Sequence, residues 1–83
     1  MNVRVMNVYG DQIKLSPPIK SAIDALSLEA DKTDVNWDEI THKILRVLEG
    51  DGFDGTKLQS EVVYFDTKKG KKITEIRIDY SDR

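Results

Sequence analysis

Residues 57–80 read KLQSEVVYFDTKKGKKITEIRIDY. Two runs of β-branched and aromatic residues flank a lysine-rich centre with one glycine, the pattern of two strands folded about KKGKK at 68–72. A turn on Lys69-Gly70 and a turn on Gly70-Lys71 give the same pairing parity. In both, Val63 and Phe65 share a face with Ile76, Ile78 and Tyr80, while Val62 and Tyr64 share the other with Arg77 and Asp79. Which of these faces meets the core fixes what the rest of the chain must cover.

The covering elements lie upstream. DVNWDEITHKILRVLEG, residues 34–50, is strongly helical in pattern. At 100° per residue, Trp37, Ile40, Thr41, Ile44, Leu45, Val47 and Leu48 fall within an arc of about 160°, and charged residues fill the remainder. Asn36 or Asp34 is the expected N-cap, Asp38 and Glu39 sit where the helix dipole favours acids, and Gly50 is the expected left-handed residue at the end. SPPIKSAIDALSLEA, residues 16–30, predicts a second helix: Ser16 caps, the prolines suit the first turn, and Ile19, Ala22, Ile23, Leu26 and Ala30 form one stripe. Leu28 falls off that stripe, so this helix is expected to end near it.

At the start, VRVMNVYGDQIKLS places Gly10-Asp11 between two alternating runs, which predicts a hairpin with a two-residue turn. Tyr9 then lies opposite Gln12, Val8 opposite Ile13 and Met6 opposite Leu15. Met6, Val8, Ile13 and Leu15 form one face; Val3, Val5, Asn7, Tyr9, Gln12 and Lys14 form the other. The sum is one domain over residues 1–83: an α+β fold of hairpin, two helices and hairpin, with an antiparallel sheet carrying both helices on one face.

Composition narrows function. Apolar residues at 39% support a core despite 34% charge, and the absence of cysteine excludes disulfides and thiolate metal sites. No apolar run nears the length of a membrane span, and MNVRVMNVYG does not read as a signal peptide, so a soluble cytoplasmic protein is expected. The net charge of −2 is uneven. Residues 24–61 hold ten acids against four bases, and residues 62–83 hold six bases against four acids.

Chemical motifs are weak. LEGDGFDGTKL, residues 48–58, fits no register of a calcium loop: a start at Asp51 puts Phe53 at position 3 and Val62 at position 12. It reads as a connector built from turn dipeptides. EITH, residues 39–42, is a Glu-x-x-His pair, but one pair on a polar helical face does not make a di-metal site. His42 is the sole imidazole, none of the serines sits in a nucleophile turn, and no glycine-rich phosphate loop is present. The expectation is a protein without catalysis, metal or cofactor.

Two surfaces remain. Val3, Val5, Tyr9, Val62 and Tyr64 are expected to point away from the helices as an apolar outer face, and Val5, Tyr9, Val62 and Tyr64 are its candidate contact residues for a protein partner or a second copy. Lys68, Lys69, Lys71, Lys72 and Arg77 form a basic hairpin suited to electrostatic steering. The first reading is a small regulator or inhibitor that binds a protein partner, by analogy with small phage and mobile-element proteins. The alternative is a nucleic-acid-binding module using the basic hairpin.

Overall fold

The computed structural model describes residues 2–30 and 36–81. It is an α+β fold: strand β1 (Asn2–Met6), helices α1 (Pro17–Ala30) and α2 (Trp37–Gly50), a single 3₁₀ turn (Gly55–Lys57), and strands β2 (Leu58–Thr67) and β3 (Gly70–Tyr80). The three strands form one mixed sheet in the order β1-β3-β2. β2 and β3 pair antiparallel; β1 pairs with β3 in parallel, from Asn2 opposite Glu75 to Met6 opposite Asp79. The sheet is therefore not the antiparallel one expected. β1 ends beside Asp79 and β2 begins beside Tyr80, so the helices return the chain to the end it left. β2 then carries it back before β3 runs parallel to β1.

The first hairpin does not form. Asn7 dominates the segment after β1: its side-chain oxygen accepts from the Tyr9 N–H at 2.9 Å and the Asp11 N–H at 3.0 Å, and its own N–H donates to the Asp11 carbonyl at 2.8 Å. This closes a wider loop than a two-residue turn, in which Gly10 adopts φ +80°. Met6 bridges to Gln12 in place of Leu15, and the Ile13 N–H reaches the Val5 carbonyl at 2.8 Å. Proline at 17 and 18 then commits the chain to α1, leaving no length for a second strand.

Both helices follow their sequence signals. In α1 the Ile23 and Ala30 side chains are buried, and Ile19 and Leu26 pack beside them; Leu28 is exposed, as its place off the stripe implies. The helix nevertheless runs to Ala30. In α2 the Asn36 side chain accepts from the Glu39 N–H at 3.2 Å, while Asp34, the other cap considered, lies outside the described residues. Its inner face buries Ile40, Thr41, Ile44 and Leu48. The Thr41 hydroxyl donates to the Trp37 carbonyl at 2.8 Å, so the buried threonine keeps a partner. Lys43 on α2 faces Glu29 on α1 at 3.5 Å.

The left-handed glycine that ends α2 is Gly52, at φ +98°, and not Gly50, which is the last helical residue. The Gly52 N–H donates to the Glu49 carbonyl and the Phe53 N–H to the Leu48 carbonyl, the paired bonds of a Schellman ending. This ending turns Phe53 back onto the core, where its ring meets Tyr80 edge-on at 4.9 Å.

The core joins Val5, Ile23, Ala30, Ile40, Ile44, Leu48, Ile76 and Ile78. Val3 lies opposite Ile76 and Val5 opposite Ile78, so β1 and β3 present one aliphatic face. On β2 it is Val62, opposite Ile76, that joins this face, and not Val63. The cause is a single irregularity between Val63 and Tyr64. Val63 pairs with Glu75 but Tyr64 pairs with Ile73, so Thr74 is an extra residue on β3, and its hydroxyl lies 3.3 Å from the Val63 carbonyl. One bulged residue reverses the relation between the strands' faces on its two sides.

Candidate functional site

The bulge divides the β2–β3 hairpin. Below it, Leu58–Val63 pair with Glu75–Tyr80 over the core. Above it, Tyr64–Thr67 pair with Gly70–Ile73 and extend beyond the core as an arm, in a molecule measuring 41 × 24 × 19 Å. The tip is a tight turn through Lys68 and Lys69. The Thr67 hydroxyl donates to the Gly70 carbonyl at 2.7 Å and accepts from the Lys69 N–H at 3.2 Å, and Gly70 takes φ +121°. The turn thus centres one residue before Lys69-Gly70 and two before Gly70-Lys71, the two turns read from sequence, with the same parity.

Two aromatic side chains stand on this arm. Tyr64 is 47% exposed and Phe65 50%, and as neighbours on a strand they point to opposite faces. Each is covered by a lysine from the paired strand: the Lys71 ammonium lies 4.3 Å from the Tyr64 ring centre, and that of Lys72 lies 5.9 Å from the Phe65 ring centre. Residues 63–73 hold Lys68, Lys69, Lys71 and Lys72 against Asp66, a net +3, so within a total of −2 the rest of the chain carries −5. A basic arm with aromatic sides projects from an acidic body.

The candidate residues therefore regroup. Val5 is buried at 2% exposure and Val62 is half-buried against the core, so the apolar outer face they were expected to share with Tyr9 and Tyr64 does not exist. Val3 joins the core as well. Tyr9 is exposed in the loop after β1, whose last residue lies opposite Asp79, whereas Tyr64 lies opposite Ile73; the two tyrosines occupy opposite ends of the sheet. The true outer face is charged. Arg4 pairs with Glu75 at 3.4 Å, and Arg77 lies 3.8 Å from Asp79 and opposite Glu61 in register. Arg77 thus belongs to the body of the sheet, while Lys68, Lys69, Lys71 and Lys72 gather on the arm with Tyr64.

Phe65 is the residue that sequence reasoning missed, having been placed in the core. Parity was its only sequence signal, and the bulge at Thr74 inverts it.

The glycine-rich stretch is a structural connector. Asp54 accepts from the Thr56 hydroxyl at 2.7 Å and the Thr56 N–H at 3.0 Å, capping the 3₁₀ turn, and these bonds, with Lys57 nearby, hold its carboxyl below the ordinary aspartate range. Glu39 faces Lys43 at 3.5 Å, and His42 is exposed on the polar side of α2. Among the described residues no group of histidines and acids converges as a metal site, and no helix is long and apolar enough to cross a membrane. No protein-family model, curated protein or solved structure matches the chain.

Proposed function

We propose that this protein is a non-catalytic binding module whose β2–β3 arm engages an acidic surface of a protein partner, as a regulator or inhibitor of that partner. One observation carries the reading: Tyr64 and Phe65 are exposed on opposite faces of one arm, each beside a lysine. Aromatic rings supply contact area at interface centres, and charges at their rim steer the encounter. The lysines that cover the rings swing aside on binding and keep them soluble when free.

A second reading uses the same residues: lysines on phosphates and rings on unpaired bases. The ring–lysine pairs favour it, but the body's net −5 repels a long anionic polymer, whereas an acidic patch of limited extent meets the arm alone.

The test is capture from a cell lysate on the immobilised protein, with and without nuclease, beside a Tyr64→Ala/Phe65→Ala variant. Nuclease-resistant capture lost in the variant supports the first reading. Capture abolished by nuclease transfers the arm to nucleic acid. Capture equal on both proteins removes the arm from the function.

A further inference from the structure

β2 is an edge strand: in the order β1-β3-β2 nothing among the described residues pairs along its outer side. Which backbone groups it leaves open follows from register. The Ser81 N–H donates to the Lys57 carbonyl at 3.0 Å, and the same register pairs Gln59 with Asp79, Glu61 with Arg77 and Val63 with Glu75. Those residues direct their backbone groups toward β3. Leu58, Ser60 and Val62 direct theirs outward, and beyond the bulge Tyr64 and Asp66 continue the row. Its middle, EVVYF, has high β propensity and holds no proline, and the extra residue of the bulge, Thr74, lies on β3 and not on this edge.

Charge says what pairs there. β2 begins beside the acidic turn that holds Glu49, Asp51 and Asp54 and ends at the Lys68-Lys69 tip. A second copy laid parallel sets tip on tip, like against like. Laid antiparallel, it sets each basic tip beside the other copy's acidic turn, twice over by symmetry. Register follows from the same rule. A two-fold axis at Glu61 puts Glu61 directly opposite its own copy, which is unfavourable. An axis at Val62 puts Val62 opposite Val62, Ser60 opposite Tyr64 and Leu58 opposite Asp66, and every outward-directed pair then exchanges hydrogen bonds.

We infer that two copies of the chain join antiparallel through their β2 edges, centred on Val62, into one continuous six-stranded sheet. The pairing uses main-chain groups along one side of the arm. It does not depend on what the faces of the arm bind.

Light scattering over a dilution series tests this, with Ser60→Pro as the decisive variant. The proline removes an outward N–H and leaves the β2–β3 ladder whole, and circular dichroism confirms the fold. The expected result is a mass near twice 9.5 kDa for the unaltered chain and a monomer for Ser60→Pro. Added salt, and separately Lys68→Glu/Lys69→Glu, are expected to weaken the dimer. Amide exchange gives an independent reading without substitution. In the dimer the Ser60, Val62 and Tyr64 amides are protected as well as those of Gln59, Glu61 and Val63; in a monomer only the latter set is. A monomer at every concentration, or a dimer untouched by Ser60→Pro with the Ser60 and Val62 amides unprotected, overturns the inference.

Discussion

The two halves of the β2–β3 hairpin are built from the same two strands, six pairs below the bulge and four above it, yet they are opposites. The half below the bulge contributes Ile76 and Ile78, both fully buried, and Val62 against them. The half above contributes Tyr64 and Phe65, both exposed, and four lysines. Intrinsic strand preference does not separate them, since Val, Ile, Tyr and Phe all favour strands. What separates them is the reach of the helices and the one extra residue at Thr74, which reverses the faces where the core ends. A strand can be laid down by propensity and still owe its role to what covers it.

Substitutions should divide along the same line. The largest effect is expected from Ile78→Ala in the lower half, where the lost contacts and the cavity cost about 2–5 kcal/mol. For a domain of this size that lowers the thermal midpoint by about 10 °C or more, which calorimetry reads directly. Gly70→Ala tests the upper half. Its left-handed φ costs an alanine about 1–2 kcal/mol. Exchange of the arm amides should quicken while the lower half keeps its protection. Equal loss in both halves would show that the hairpin opens as one unit.

Tyr64→Ala and Phe65→Ala should each shift chemical unfolding by no more than about 0.5 kcal/mol, as exposed positions do. A larger shift at Phe65 would mean that the arm folds back on the body. The smallest effect belongs to Asp54, at the foot of β2. Its carboxyl is held below its ordinary range by Thr56, so its contribution is complete above the unfolded-state value and fades as pH falls through the lowered native value. Asp54→Asn should lose that small contribution at neutral pH, leave acid stability nearly unchanged, and so flatten the acid limb of a stability–pH curve slightly.

The helices were legible because helical periodicity accumulates over several turns. The stripe of Ile19, Ile23, Leu26 and Ala30 and the arc from Trp37 to Leu48 both survive an error of one residue, and both face the core. Strand faces have no such tolerance, because a period of two is inverted by a single insertion. Thr74 made that insertion, and it misplaced Val62 and Phe65 together. The first hairpin failed for another reason. Gly10-Asp11 is a strong turn signal, but the Asn7 side chain, three residues earlier, had already claimed the Tyr9 and Asp11 N–H groups. The lysine cluster was legible because four lysines in five residues stay together whatever the turn. Their pairing with rings depended on register and was not.

The strand order has a consequence for how the protein comes into being. The middle strand of the sheet, β3, comes last among the described elements, and its partner β1 comes first, with Asn2 set against Glu75. A nascent chain that stops at Thr67 therefore holds both helices and two strands but no sheet, since β1 and β2 do not pair with each other. Its aliphatic faces have nothing between them until β3 arrives. Assembly of the sheet must wait until β3 has left the ribosome, and it then closes through pairs far apart in sequence, such as Asn2 with Glu75.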